Sequence, residues 1–318
     1  MSARIAIVMP CYNCAAHLSA SIGSVRAQTY PDWELIVVDD GSTDTSAAQV
    51  AAINDPRIRL IRQANAGVSA ARNRALNETS STFVAFLDAD DTWTPTFLEK
   101  MLSALEAYPA AVLAYCGWQN IGLPGGRGAP FVPPDYETPL KLEKLLGGCR
   151  WPIHATLTRR AAIAAAGGFN PRYSHAEDFA LWLQIASVAP IIQVADVLAF
   201  YHFHGAAQAS ANRARAALQL WQAQRDYIAR HPHVVQQLGR PALARLTHGT
   251  LLERGYVSYW ARDLATARSL FRRVMRHGYG GLRDWKYMLP ALLPLRWQQA
   301  LLRLTDHHQK KIPLSHKD

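Results

Sequence analysis

Three acidic residues follow a short apolar run near residue 90, and carboxylates at this spacing are candidates for metal chemistry. Residues 84–87 have the composition of a buried strand, and Asp88, Asp90 and Asp91 come directly after them. Carboxylates this close together repel one another unless a cation neutralises them. Ligands bind at the carboxyl ends of strands in open α/β sheets, so the pattern indicates a magnesium or manganese site. The alternative is a solvated acid-rich turn, or a helix N-cap before Pro95.

Other residues of chemical interest have simpler explanations when each is taken alone. Glu177 and Asp178 open a predicted helix at 176–186, where the helix macrodipole favours acids, so capping explains them. His204 is one of twelve histidines, and by itself it predicts a structural side chain.

Cys11 and Cys14 form a C-x-x-C pair, which raises redox and zinc interpretations. No second pair completes a zinc site, and Tyr12 and Asn13 are unusual residues for a redox motif. The four cysteines do not predict a disulfide scaffold at this length. Reduced thiols of a cytosolic protein are therefore predicted.

The elements that would position the acids alternate between strands and helices. Strands are predicted at 4–10, 33–40, 57–62 (an edge strand) and 84–87, with helices at 15–28, 45–53 and 68–77. This alternation predicts βαβ units and a parallel sheet. Neither G-x-G-x-x-G nor a P-loop follows the first strand, so a glycine-rich phosphate cradle is excluded.

The remainder of the chain divides at about residue 210. Before it, helices are predicted at 97–108, 161–168 and 176–186, strands at 111–118, 157–160 and 191–201, and a loop at 121–139. From 211 the pattern is helical, and residues 248–277 resemble one tetratricopeptide-like helix pair. The stretch from Trp285 to Leu304 is typical of an interfacial membrane helix, or of an amphipathic helix folded back on the core.

The charge of +10 is distributed unevenly. Residues 1–210 contain 15 Lys and Arg against 18 Asp and Glu, whereas residues 211–318 contain 19 against 6. The second segment therefore favours an anionic surface. No aromatic and basic motif supports nucleic-acid binding, so an anionic membrane is the better match. Neither a signal peptide nor a membrane span is recognised, and a cytoplasmic protein, soluble or peripheral on the membrane, is predicted.

Four short blocks of sequence follow one another between residues 8 and 91. They are Val-Met-Pro-Cys-Tyr-Asn at 8–13, residues 24–44 with Val-Val-Asp-Asp-Gly-Ser, Asn-Ala-Gly-Val-Ser-Ala-Ala-Arg-Asn at 65–73, and Leu-Asp-Ala-Asp-Asp at 87–91. In this order and spacing the blocks resemble the family 2 glycosyltransferases, which have the nucleotide-diphospho-sugar transferase fold called GT-A. The acceptor half is similar through Gly-Gly-Phe at 167–169 and Glu177-Asp178. It departs at Asn170-Pro171, at Gln184 and at Tyr-His-Phe-His (201–204), where the family often has Asp-Glu, Arg and Tyr-Arg-x-His. These departures concern the acceptor more than the reaction.

The resemblance implies a mixed, mainly parallel Rossmann-like sheet flanked by helices, with an α-helical C-terminal extension. It implies an inverting, metal-dependent transfer from a nucleoside-diphosphate sugar, most often a UDP-sugar, to a hydroxyl of a glycan or lipid-linked acceptor. Asp178 would be the general base, and Glu177 would position it. The implied nucleotide-sugar residues are Pro10, Tyr12, Asn13, Asp40, Arg72 and Asp88, and the implied Mn²⁺ or Mg²⁺ ligands are Asp90, Asp91 and His204.

Several of these roles stay open at this stage. Asp91 would either join the metal or orient the strand tip, and Asp39 would be buried and structural. Arg72 would meet the diphosphate, position Asp40, or be a solvated helix residue. The predicted domains are 1–210, with a nucleotide-sugar half at 1–95 and an acceptor half at 96–210, and a basic helical region at 211–318. The alternative functions are a nucleotidyltransferase of related fold and a non-catalytic glycan- or nucleotide-binding protein.

Overall fold

The chain divides into two compact units, Met1–Ala211 and Asn212–Asp318. The structure is a computed structural model that describes residues 3–123, 128–204 and 212–299. Within them, the first unit contains one mixed sheet with flanking helices, and the second unit is helical, as predicted.

The sheet of the first unit has the strand order β3-β2-β1-β4-β7-β6-β8-β5. Strands β3, β2, β1 and β4 run parallel, β7 is antiparallel to its two neighbours, and β8 is parallel to β6. The strands are β1 (Ile5–Cys11), β2 (Trp33–Asp39), β3 (Ile58–Arg62), β4 (Phe83–Phe86), β5 (Thr92–Trp93), β6 (Leu113–Ile121), β7 (Thr156–Arg159) and β8 (Ile191–His202).

Continuous apolar sequence explains the central strands. Side chains alternate between the two faces of a strand, so a strand covered on both faces needs apolar residues throughout. Ile5 and Ile7 of β1 are fully buried, and so are Ala6 and Val8 on the opposite face. The predicted edge strand is confirmed, because β3 ends the sheet and has no fully buried residue.

Helices of the first unit cover the sheet with apolar residues at helical spacing. Leu18, Ile22 and Val25 on one helix and Met101 and Leu105 on another belong to the same buried cluster as β1. Burying each such side chain contributes about 1.5–3 kcal/mol. The helices are α1 (Leu18–Arg26), α2 (Ser46–Ala51), α3 (Val68–Asn77), α4 (Phe97–Ala107), α5 (Lys141–Leu146), α6 (Arg160–Ala165) and α7 (Glu177–Ala186).

Strand β5, which sequence patterns did not predict, holds the acidic turn in place. Thr92 pairs with Phe200 and Trp93 with Ala199 of β8, so the turn after β4 is anchored at both ends. The same pairing brings the end of β8, including His202, next to the turn. The predicted loop at 121–139 is confirmed for the residues that the structure describes, except that β6 extends to Ile121. Residues 124–127 of this loop lie outside the described residues.

The second unit packs its helices around their own buried cluster. Gly255 is where α10 and α11 meet, because a Cβ there would lie 2.6 Å from Phe271 Cε1. The kink in α9 is at Gly239, whose φ is 75°. The helices are α8 (Arg213–Arg230), α9 (Pro232–Ala244), α10 (Thr250–Trp260), α11 (Leu264–Met275) and α12 (Leu282–Met288).

The segment predicted as an interfacial or folded-back helix begins with α12, and its residues 300–304 lie outside the described residues. Met288 and Ala291 are fully buried in the cluster of the second unit, which is the folded-back arrangement. Leu289 and Leu292 are 50% and 55% exposed. Within the ranges that the structure describes, none of the helices has both the length and the apolarity needed to cross a bilayer.

Candidate active site

The three acids after β4 differ in their surroundings. Asp90 is partly exposed, and burial together with the nearby carboxylates of Asp91 and Asp88 raises its pKa to about 6. Such a carboxylate is costly to ionise without a cation. Asp88, in contrast, forms an ion pair with the guanidinium group of Arg72.

Asp91 is fully buried and points into the protein. Its Oδ1 accepts a hydrogen bond of 2.9 Å from the backbone N–H of His202, and its Oδ2 lies 2.9 Å from His154 Nδ1. Burial disfavours a charged His154, but the carboxylate of Asp91, together with those of Asp88 and Asp90, outweighs burial and raises the pKa of His154. Of the two roles predicted for Asp91, these contacts correspond to orienting the strand tip. The predicted role of Asp91 as a metal ligand stays a prediction.

His204 lies beside Asp90 as predicted. Its Nε2 is 3.4 Å from Asp90 Oδ2, and its ring stacks on His17 with a centroid distance of 3.6 Å. Among the described residues, no group of three or more His, Cys, Asp or Glu side chains is arranged to hold a metal ion. Asp90 and His204 are thus two protein donors, which suits a cation that takes its other ligands from substrate phosphates and water.

Arg72, one of the predicted nucleotide-sugar residues, lies between two carboxylates. Its side chain is 2% exposed, so it is not a solvated helix residue, and no hydrogen bond joins it to Asp40 among the described residues. Its contact with a diphosphate stays a prediction. Arg72 Nη2 donates to Asp88 Oδ1 at 2.7 Å, and Nη1 donates to Glu177 Oε1 at 2.9 Å. One guanidinium group therefore connects the acidic turn after β4 with the first turn of α7.

Asp178 lies in the first turn of α7, next to Glu177. Its Oδ1 accepts a hydrogen bond of 2.6 Å from the N–H of Phe179, and its Oδ2 is 3.8 Å from Cys149 Sγ. Burial and the Glu177 charge raise the pKa of Asp178 to about 7. A residue that only caps a helix does not need a raised pKa. A general base that works at neutral pH, in contrast, is most effective when its pKa is near about 7.

The thiol beside Asp178 was not predicted as a site residue. Cys149 is an exposed residue, and desolvation of its thiol together with the Asp178 charge raises the pKa of Cys149 well above the ordinary value. Cys149 therefore stays a protonated, weak donor to Asp178.

Four of the predicted nucleotide-sugar residues lie where β1 and β2 end, and they are Pro10, Tyr12, Asn13 and Asp40. Tyr12 is 50% exposed and presents its ring to solvent, and Pro10 is partly exposed next to it. Asn13, at φ 52°, accepts hydrogen bonds from the backbone N–H and hydroxyl of Thr43 and so ties two loops together.

Asp39 and Asp40 are both buried. Asp40 accepts hydrogen bonds from Gln63 Nε2 and from the N–H groups of Ala66 and Gly67, at 2.7–2.9 Å. These bonds shape the loop before α3. Asp39 accepts from the N–H of Ser42, as its predicted structural role requires. The described contacts of Asp40 thus also hold a loop in place. Its contact with a nucleotide stays a prediction.

Comparison with known proteins identifies the family of the chain. Residues 6–162 match the family model described as Glycosyl transferase family 2. The chain is 38% identical over 183 residues to the UDP-Glc:alpha-D-GlcNAc-diphosphoundecaprenol beta-1,3-glucosyltransferase WfgD of Escherichia coli, which covers 57% of this chain and 69% of that protein. It is 31% identical over 215 residues to the O-antigen biosynthesis protein RfbC of Myxococcus xanthus, covering 66% of this chain but 16% of that protein.

Solved structures show the same fold. The crystal structure of S. aureus TarS 1-349 in complex with UDP-GlcNAc has a TM-score of 0.58 at 17% identity, covering 86% of this chain and 92% of that one. The mannosyltransferase PcManGT of Pyrobaculum calidifontis, in complex with GDP-Man and Mn²⁺, has a TM-score of 0.59 at 22% identity, covering 96% and 88%. The predicted GT-A fold is confirmed by these likenesses. On the match of its sequence and the extent of its similarity to WfgD, the chain belongs to the family 2 glycosyltransferases.

Proposed function

We propose that this glycosyltransferase is an inverting, metal-dependent enzyme that moves a sugar from a UDP-sugar to a hydroxyl group of a glycan or lipid-linked acceptor. The observation that carries the proposal is the Arg72 bridge, which joins Asp88 at the donor side to Glu177 beside Asp178. A donor site and a candidate base are thereby held in one charge network. WfgD is named for a UDP-Glc donor, and TarS was solved with UDP-GlcNAc, so a uridine nucleotide is the first to test.

The proposed reaction is a single displacement. The acceptor oxygen attacks the anomeric carbon on the face opposite the diphosphate, and Asp178 takes the hydroxyl proton. The bond between the anomeric carbon and the diphosphate oxygen breaks, and its electron pair leaves with the nucleoside diphosphate. Asp178 accepts a proton only when ionised, so its pKa of about 7 predicts that the rate rises with pH through neutrality.

Asp90 and His204 are the proposed protein ligands of Mn²⁺ or Mg²⁺. A bound divalent cation would act as a Lewis acid that stabilises the charge of the leaving diphosphate. Its presence would also offset the mutual repulsion of Asp88, Asp90 and Asp91. PcManGT was solved with Mn²⁺, which makes manganese the first ion to test.

The acceptor and the location are proposed from the relatives and from charge. WfgD is named for a diphosphoundecaprenol-linked acceptor, and RfbC for O-antigen biosynthesis. A bacterial surface polysaccharide or glycolipid pathway is therefore the proposed setting. Peripheral contact with an anionic membrane through the basic region, a cytoplasmic location and the absence of nucleic-acid binding stay predictions.

The test is a transfer assay with a panel of UDP- and GDP-sugars, with and without Mn²⁺, followed by NMR of the product. An anomeric configuration opposite to that of the donor is expected, and retention would contradict the single displacement. Asp178→Asn should lower the rate about 10²–10⁴-fold while donor binding, measured by calorimetry, is kept. Unimpaired transfer by this variant would remove Asp178 as the base, and no transfer with any donor would favour a binding protein.

A further inference from the structure

The second unit contains an arginine-lined groove that the sugar-transfer reaction does not use. It lies between α8 and α11 and has a volume of about 230 Å³. Its wall includes Leu218 of α8 and Ser269 of α11, together with four arginines. Arg268, Arg272 and Arg273 belong to α11, and Arg276 is the C-cap residue that follows it.

The arginines form an uncompensated ridge of like charge. Arg268, Arg272 and Arg276 follow one another at intervals of four residues, which places them on one face of α11. Like charges at this spacing destabilise a helix. Within residues 212–299, none of the four arginines forms an ion pair with a carboxylate, and no acidic side chain lines the groove. An anion in the groove would remove this repulsion.

Two of the guanidinium groups are held in place by backbone carbonyls. Arg268 Nε donates to the carbonyl of Leu293 at 3.1 Å, and Arg272 donates through Nε and Nη2 to those of Ala291 and Leu292 at 2.7 and 2.9 Å. These bonds satisfy carbonyl groups at the end of a helical turn, which explains why the two arginines are held there. Arg273 and Arg276 donate to no such carbonyl among the described residues, and Arg273 lies over the ring of Trp221.

Neighbouring histidines lie in the same positive surroundings. Burial and the charges of Arg225 and Arg273 lower the pKa of His277. Burial, His277 and Arg225 lower the pKa of His248 to about 4. Arg225 and Arg273 both lie over the ring of Trp221, at 4.9 and 5.2 Å from its centroid. Both histidines are therefore neutral at pH 7, as expected where cationic groups are crowded.

We propose that this groove is a binding site for a phosphate group. Guanidinium groups donate pairs of hydrogen bonds in a fork that fits phosphate oxygens, and several arginines around one pocket fit a tetrahedral anion of high charge better than a single carboxylate. The groove volume is several times the roughly 30 Å³ that one water occupies, so a phosphate or diphosphate has room. The phosphate could be that of a lipid headgroup or of a soluble ligand.

The test uses the full chain and a pair of charge-matched double variants. Arg273→Gln/Arg276→Gln alters the groove and spares the two arginines bound to carbonyls. Arg230→Gln/Arg283→Gln removes the same charge from two exposed arginines elsewhere in the second unit. Circular dichroism confirms that both variants are folded.

Two probes distinguish the sources of the phosphate. Calorimetry with pyrophosphate in EDTA reports a soluble ligand, and flotation with vesicles of phosphatidylglycerol, against phosphatidylcholine, reports a lipid headgroup. The groove variant should bind at least one probe about tenfold more weakly than wild type, while the control changes by less than about twofold. Equal losses in the two variants, or no binding of either probe by wild type, would overturn the proposal. Sugar transfer is assayed separately, because neither variant alters Asp88, Asp90 or Asp178.

Discussion

At the scale of single residues, the Arg72 bridge makes the strongest prediction about activity. Replacing Arg72 with Gln leaves the carboxylates of Asp88 and Glu177 without their cation. Breaking a largely buried ion pair by removing one partner costs about 3–5 kcal/mol, reduced here because Asp88 is partly exposed. The Arg72 charge also lowers the pKa of Asp178, so its removal should raise that pKa further. The rise of rate with pH should therefore move to higher pH in Arg72→Gln.

The measurements for Arg72 are urea unfolding and the pH profile of kcat. Arg74→Gln is the matched control, because Arg74 lies on the same helix, is 54% exposed and pairs only with Glu78 among the described residues. Arg72→Lys keeps the charge and should shift the profile less than Gln does. An unchanged pH profile in a folded Arg72→Gln protein would show that Arg72 is structural without acting on Asp178.

Asp90 carries the prediction about the metal. Asp90→Ala removes one of the two proposed protein ligands, so calorimetry with UDP in the presence of Mn²⁺ should show affinity at least about tenfold weaker. Without metal, the two proteins should bind UDP alike. Asp196→Ala is the control, since Asp196 is 48% exposed and pairs with Lys100. Equal manganese dependence in Asp90→Ala and wild type would mean that Asp90 is not a ligand.

Residue types near a strand end could be predicted, but their partners could not. The acids at 88–91 follow an apolar run, so their place at the edge of a sheet is visible in the sequence. His154, which pairs with Asp91, reaches it only because β7 lies next to β4, and no local pattern indicates that pairing. Arg72 looks like a polar residue of a short helix, and its burial depends on α7, more than 100 residues later.

At the scale of elements, the loops that follow β1, β2 and β3 are fastened to one another. Gly41 is central to this connection because its φ is 80° and a Cβ there would lie 2.9 Å from the backbone nitrogen of Asn65. Gly41→Ala should cost about 1–3 kcal/mol of stability, since both backbone strain and a close contact oppose it. The loops that carry Tyr12 and Asp40 should then be misplaced, and the KM for the donor should rise.

A glycine of α1 gives the opposite expectation and serves as the control. Gly23 is exposed, and a Cβ there meets nothing within 4 Å. Gly23→Ala should stabilise the protein by about 0.5–1 kcal/mol without changing the donor KM. Thermal unfolding and donor kinetics of the two variants check both signs. If Gly41→Ala left stability and KM unchanged, the loop connection would be unimportant.

Among elements, those with a regular pattern were predicted and those that depend on pairing were not. The predicted helix at 68–77 is confirmed at both ends, and β1, β2 and β8 are confirmed within about two residues. The two-residue strand β5 is too short to show an alternation, and it forms because β8 offers a free edge. Helix α5 was not predicted.

At the scale of the whole molecule, the uneven charge should govern association with membranes. Residues 211–318 have a net charge of +13 and residues 1–210 of −3. Each Lys or Arg near an anionic surface contributes about 1 kcal/mol, and this attraction weakens as salt shortens the Debye length. Binding to phosphatidylglycerol vesicles should therefore be measurable at about 0.05 M salt and largely lost at about 0.5 M.

Exposed leucines after α12 should add an apolar part to the same binding. Leu289→Ser/Leu292→Ser removes two half-exposed apolar side chains, and vesicle affinity should fall about tenfold by flotation. Val188→Ser/Val257→Ser, at two exposed valines elsewhere, should bind as wild type does. Substitution is a sharper test than deletion from residue 285, because deletion would remove the buried Met288 and Ala291 and open the core of the second unit. If both double variants bound vesicles like wild type and only salt mattered, the contact would be purely electrostatic.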